Sequence, residues 1–315
     1  MISTRELIGL VRGPVAVAEP LAPYTGIRIG GTADFLVKPR DRSDLVSAFG
    51  FFRNLGFPFF ILGRGHTLLV NDNGFRGAVI ATHLLDRITI DGEMVEADAG
   101  VPVPMLLERS LQASLGGMEH LENLPGTVGG ALKRNVGVEG RRILDDVEWI
   151  DILRNGRVRR LKKKELSAST GTPVIKDDVI LGAAFRMKRL SPKEKQLARK
   201  GLEVSCVDNT SGKSRNEAST GSVFRIPLET SNMRGPSAGD LIEACGFGGK
   251  RLGGASISLS NANSIVNEGG ATSGEVLELA RMVRDEVHSR FGVALELDLT
   301  LVGYNRNGND DPFKP

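Results

Sequence analysis

The sequence predicts an α+β fold in two parts, a larger one over residues 1–190 and a smaller one over 191–315. Three observations carry that expectation. Short apolar runs of strand length alternate with amphipathic stretches of helix length. Glycine, 39 residues in all, concentrates in two stretches, 63–77 and 126–140, where loops rather than element interiors are expected. A charged span at 191–201 then interrupts the strand-rich pattern. With 315 residues, 40% hydrophobic and 25% charged, the chain can bury more than one core.

Each element follows from local pattern. Phe35-Leu36-Val37 and Phe59-Phe60-Ile61-Leu62 read as buried strands around a helix at 44–55, which Gly56 and Pro58 end. Further strands are expected at 77–80, 88–90 and 94–97, then an apolar-periodic helix at about 104–114. The span 147–161 reads as a hairpin, because Asn155-Gly156 tolerates the positive φ angles of a tight two-residue turn. Lys162-Lys163-Lys164 reads as a solvated strand end. A strand at 179–187 precedes a helix at 191–201, begun by a Ser-Pro cap. Helices at 238–245 and 273–291 and a closing strand at 294–302 complete the pattern. The larger part divides again near residue 75.

Composition excludes several function classes. A net charge of +3, from 41 basic and 38 acidic residues, supplies no field that would draw nucleic acid or a membrane surface. Cys206 and Cys245 form no Cys-x-x-Cys pair, so neither a disulfide framework nor a metal site is expected. No apolar run approaches the roughly 20 residues of a spanning helix, and a cytoplasmic protein, active as a monomer, is the expectation.

The most informative residues are in the glycine loops. Ile61-Leu62-Gly63-Arg64-Gly65-His66-Thr67-Leu68 places two glycines just after a strand, where bare N–H groups can turn toward an anion. Leu124-Pro125-Gly126-Thr127-Val128-Gly129-Gly130-Ala131 is a second glycine-dense turn whose apolar residues imply packing. Two such loops can clamp one diphosphate. Together, and in this order, they resemble the flavin-binding half of the UDP-N-acetylenolpyruvoylglucosamine reductases. Upstream, residues 25–34 (TGIRIGGTAD) are similar to that family's opening signature, and Asn135-Val136-Gly137 stands where the family has Asn-Ala-Gly. Gly221-Ser222-Val223-Phe224-Arg225, Gly253-Gly254-Ala255 and Asn263-Ser264-Ile265-Val266-Asn267 extend the resemblance through the family's substrate domain.

The resemblance implies a PCMH-type FAD-binding portion followed by a substrate domain, with FAD between them, NADPH as reductant and a UDP-sugar enolpyruvyl ether as substrate. It implies FAD contacts from Gly63, Arg64, Gly65, His66, Thr67, Leu68, Pro125, Gly126, Thr127, Gly129, Gly130, Asn135, Gly137 and Ile180. Ser222 corresponds to the family's proton-donating serine and Asp298 to its glutamate, one methylene shorter. Arg225 and Asn261 occupy substrate positions where Lys and His are usual. The family's Tyr-Arg-x-Ser motif has no counterpart, since Thr170-Gly171-Thr172-Pro173 stands there. Arg134, Arg215 and Arg225 are candidate replacements. Two readings follow from that departure, a reductase and a flavin-binding relative with another role.

Overall fold

The computed structural model describes residues 4–122, 124–138, 140–166, 175, 178–208, 217–227 and 235–304. The chain forms two compact units, each assembled from several segments. The first comprises Met1–Val17, Phe35–Arg64 and Gly77–Gly212; the second comprises Ala18–Asp34, Gly65–Arg76 and Lys213–Pro315. The division therefore departs from a single cut near 190. Pro192–Asp208 is a helix grouped with the first unit. The Leu190 N–H donates to the Ser114 carbonyl, and Lys195 Nζ donates to Gln112 O and Ser114 Oγ, which hold the start of that helix to the first unit.

In the first unit, the helix Arg42–Asn54 starts at Asp41, whose carboxylate accepts from the Asp44 N–H. Leu45, Ala48 and Phe52 recur at helical spacing and are fully buried. Phe52 packs among Phe35, Phe51, Phe57 and Phe59 with ring centroids 5.4–6.4 Å apart. The strand Phe59–Leu62 pairs in parallel with residues 78–81, and the helix Arg42–Asn54 links it to Thr32–Val37, which lies on the other side of Phe75–Ala81 in the sheet order. A second, antiparallel sheet has the order Arg157–Lys162, Val147–Arg154, Val179–Arg186, Met94–Asp98, Ile88–Asp91. Its hairpin turns at Asn155 and Gly156, both with positive φ, as the dipeptide predicts. One face of this sheet packs Val95, Ile150, Ile152 and Phe185 with Val103 and Leu106 from the helix Val103–Gln112.

The second unit packs the helices Ala238–Ala244 and Ser273–Phe291 over a core that includes Ile242, Ile257, Val276, Leu279 and Val283. The expected closing strand at 294–302 is split. Glu296–Leu297 pairs antiparallel with Phe224–Arg225, whereas Thr300–Val302 pairs parallel with Leu68–Val70. The break falls at Asp298 and Leu299. There the Asp298 N–H donates to the Val223 carbonyl at 2.7 Å, and the Leu299 side chain is buried. Among the described residues no helix is long and apolar enough to cross a membrane.

Candidate functional site

Within the first unit, the second glycine stretch is more ordered than a loop. It opens a helix, Val128–Arg134, with Thr127 as its cap. Thr127 Oγ1 accepts from the Gly130 N–H at 3.3 Å. Asn135 closes the helix in the left-handed conformation, a role its short polar side chain suits. The sequence misses this helix because seven residues containing two glycines carry little helical signal. It forms because tertiary hydrogen bonds hold its start: the Val128 N–H donates to Val101 O and the Gly129 N–H to Ala99 O, each at 2.8 Å, and the Val103 N–H donates to Gly126 O at 3.1 Å.

The glycines differ in why they are glycine. A Cβ on Gly129 would stand 2.9 Å from Ala99 Cβ, closer than real side chains approach, and one on Gly63 would stand 2.9 Å from Thr127 Oγ1. Those two are required by packing, and the second shows the end of the first loop's strand lying against the second loop. A Cβ on Gly130 would meet only Thr127 Oγ1, at an ordinary 3.5 Å, and Gly130 is exposed. No intramolecular neighbour demands a glycine there. Pro125 is exposed, and Ile180 is buried in the core of the unit, so its side chain serves packing. Gly137 pairs with Arg142.

Two further groups, one within this helix and one upstream of it, were not evident from the sequence. Lys133 Nζ donates to the carbonyls of Ile175 (3.0 Å) and Asp178 (2.7 Å). His120, just upstream of the glycine turn, lies with Nε2 3.5 Å from Asp146 Oδ2, and neither ring nitrogen makes a hydrogen bond among the described residues. Arg141 pairs with the other Asp146 oxygen. Burial lowers the His120 pKa below its ordinary 6.5, against the opposing pull of Asp146. His83 is lowered for the same first cause, aided by Lys38 and Arg64.

In the second unit, the remaining predicted pieces converge. Gly65 has φ +65°, and a side chain there would run into the Tyr24 carbonyl. Its own carbonyl accepts from the Gly26 N–H at 3.0 Å, which ties the opening signature to the first loop. The His66 carbonyl accepts from the Gly221 N–H (2.7 Å) and the Thr67 carbonyl from the Thr300 N–H (2.8 Å). Leu68 begins the strand Leu68–Val70 and is buried. Ser222, exposed, therefore sits between Gly221, bonded to His66, and Val223, bonded to Asp298. Residues 222 and 298, 76 positions apart in sequence, are brought together by backbone pairing.

Asn263, which the sequence offers within the motif 263–267 without a role of its own, fixes this arrangement: its Oδ1 accepts from the Phe224 N–H (2.9 Å) and its Nδ2 donates to the Phe224 carbonyl (2.8 Å). Ser264 Oγ donates to Thr220 O at 2.8 Å. An Asn inside an Asn-x-Asn turn looks like ordinary turn chemistry until its cross-chain partner is known. Asn261 is a turn residue whose Oδ1 accepts from the Asn263 N–H. Arg225 is exposed, and its Nε and Nη2 both lie 2.9 Å from Glu296 Oε2, a cross-strand ion pair. Arg215 and residues 170–173 lie outside the described residues. Among the described residues no group of three His, Cys, Asp or Glu side chains could hold a metal ion.

Comparison with known proteins agrees with both units. Residues 213–302 match the C-terminal domain of UDP-N-acetylenolpyruvoylglucosamine reductase and residues 33–162 match an FAD binding domain. The chain is 36% identical over 308 residues to the UDP-N-acetylenolpyruvoylglucosamine reductase of Chloroherpeton thalassium, covering 98% of this chain and 99% of the relative. It is 35% identical over 302 residues to that of Pelobacter propionicus, covering 95% and 99%. The crystal structure of the Thermus caldophilus enzyme superposes with a TM-score of 0.71 at 27% identity, covering 92% of this chain and 99% of that one.

Proposed function

Because the chain belongs to the UDP-N-acetylenolpyruvoylglucosamine reductase family, we propose that it reduces UDP-N-acetylglucosamine enolpyruvate to UDP-N-acetylmuramate with electrons from NADPH, a cytoplasmic step of peptidoglycan precursor synthesis. The observation that carries this reading furthest is the backbone bond from the Asp298 N–H to the Val223 carbonyl, which puts exposed Ser222 one residue from that contact.

The first-unit residues fit FAD. Gly130, exposed and without an intramolecular reason to lack a side chain, leaves the surface over the helix start open to a close-approaching group such as the FAD diphosphate. In the first unit Gly63 and Arg64, with Pro125, Gly126, Thr127, Gly129 and Gly130, would hold it, joined by Asn135 and Gly137; the family resemblance adds Gly65, His66, Thr67 and Leu68, which belong to the second unit. When bound, FAD supplies the hydride chemistry that amino-acid side chains lack.

Reducing the enolpyruvyl double bond adds a hydride to one carbon and a proton to the other, and negative charge develops on the adjoining substrate carboxylate in between. Ser222 gives the proton to carbon. The Asp298 carboxyl is the second acid–base group at that place. Asn263 holds the segment after Ser222, and Asn261 and Arg225 are the proposed substrate contacts. The alternative, a flavoprotein without this activity, rests on Thr170-Gly171-Thr172-Pro173 standing where the family carries an arginine.

Steady-state turnover tests the proposal. NADPH oxidation that depends on UDP-N-acetylglucosamine enolpyruvate, with a product two hydrogens heavier by mass spectrometry, supports it. NADPH oxidation indifferent to that substrate overturns it.

A further inference from the structure

Arg42 opens the first-unit helix Arg42–Asn54, yet its guanidinium does not serve that helix. It lies across the antiparallel sheet. In that sheet Asp151, Gly182 and Asp98 are direct cross-strand partners on three adjacent strands. Arg42 spans the row: Nε donates to Asp98 Oδ1 at 2.6 Å and Nη1 to Asp151 Oδ2 at 3.1 Å, while Nη2 lies 3.1 Å from Glu96 Oε1. A side chain on Gly182 would overlap Arg42 Nη2 and stand 2.6 Å from Ala97 O, so the central residue of the row is glycine to admit the guanidinium.

The carboxylates are withdrawn from water, with side-chain exposures of 7% for Asp98 and 11% for Asp151. Arg160 approaches Asp151 from the other side with two hydrogen bonds, of 2.8 and 2.9 Å, and stacks on Trp149. Asp98 has Arg42 as its hydrogen-bonding cation. Burial raises the Asp98 pKa, and Arg42 opposes that rise.

Asp98 is also where the strand ends and turns toward the second glycine loop. Its carbonyl accepts from the Val101 N–H at 3.1 Å. Between them, Ala99 O and Val101 O are the two acceptors that hold the N–H groups of Gly129 and Val128. The chain of contact runs without a gap from Arg42 through Asp98 and the 98–101 turn to the start of the helix Val128–Arg134.

We propose that Arg42 is a positioning residue for FAD: by clamping Asp98 into the row Asp151–Gly182–Asp98 it fixes the turn that presents the second glycine loop to the cofactor. The inference rests on the reading of that loop as an FAD contact. Without Arg42, three buried or half-buried carboxylates face one another with Arg160 beside Asp151 and Arg87 near Asp98 as the remaining cations, and the strand end that carries Ala99 and Val101 keeps its backbone bonds to Arg87 and Leu181 but loses the clamp on the Asp98 side chain.

Titrating apo-protein with FAD, followed by flavin fluorescence well below the melting temperature, tests the proposal. Arg42→Lys keeps a charge but loses the fork that reaches both aspartates, and Gly182→Ala pushes on the same guanidinium from below. Each is expected to raise the FAD Kd by about ten- to a hundredfold, the equivalent of one charge-assisted hydrogen bond, and to alter the visible absorbance envelope of bound flavin. A purely structural role would lower the melting temperature and leave Kd and envelope as in wild type. That result in a folded Arg42→Lys overturns the proposal, and so does unchanged Kd in Gly182→Ala should Arg42→Lys not fold. Failure of the wild-type chain to bind FAD would instead overturn the underlying reading, which keeps the two failures apart.

Discussion

Replacing Gly130 with alanine separates what the fold needs from what a ligand needs. The added Cβ meets only Thr127 Oγ1, at 3.5 Å, and the Gly130 N–H keeps its bond to that oxygen. Alanine is favoured over glycine inside a helix by roughly 0.5–1 kcal/mol, so the apo-protein should melt a degree or more higher. FAD binding should weaken all the same. A methyl group where the diphosphate approaches holds it off, and losing contact equivalent to one charge-assisted hydrogen bond, about 1.5–3 kcal/mol, corresponds to about ten- to a hundredfold in Kd. Gly129→Ala provides the contrast. Its Cβ stands 2.9 Å from Ala99 Cβ and 3.0 Å from Ala99 O, so the apo-protein itself loses about 1–3 kcal/mol by overpacking. Differential scanning fluorimetry of both apo variants, paired with FAD titration, reads the two effects independently. A Gly130→Ala protein that binds FAD as tightly as wild type would refute the argument that this glycine exists for a ligand.

Ser222→Ala should bind FAD normally and lower kcat by at least about 10²-fold with KM little changed, as expected for a group acting in proton transfer; unchanged kcat in steady-state assays would remove Ser222 from that role. Asn263→Ala leaves the buried Phe224 N–H and C=O without their side-chain partner, so about 1–3 kcal/mol of stability should be lost in urea unfolding, and an unchanged midpoint would count against its anchoring role. His120 has a folded pKa below 6.5, so the unfolded chain takes up its proton first as pH falls. The stability His120 contributes is present above about pH 6.5 and is lost below it. His120→Phe should therefore flatten the fall in melting temperature between about pH 7 and about pH 5.5, with His83 keeping a residual slope. A wild-type slope in the variant would contradict the shift.

Legibility in the sequence followed the range of the forces involved. The helix Arg42–Asn54 and the hairpin at Asn155-Gly156 were readable because amphipathic period and positive-φ turn chemistry are local. The short helix Val128–Arg134 was not, because carbonyls about thirty residues upstream hold its first turn. Nor was the split of the last strand, since 296–297 and 300–302 each look like strand and the choice of two different partners is tertiary. In the site, glycine spacing pointed to both loops, and the family resemblance pointed to Ser222 and Asp298. Composition and pattern could not reveal that Arg225 is held by Glu296, that Asn263 locks Phe224, or that Gly182 makes room for Arg42.

The most direct measurement is an anaerobic single turnover. FAD-loaded protein is bleached with one equivalent of NADPH, and UDP-N-acetylglucosamine enolpyruvate is then added while flavin absorbance is followed. Rapid return of the oxidised flavin spectrum on adding that substrate, and not on adding UDP-N-acetylglucosamine, is the predicted result. Flavin that stays bleached in its presence would contradict the reductase assignment and leave a flavin-binding protein with another role.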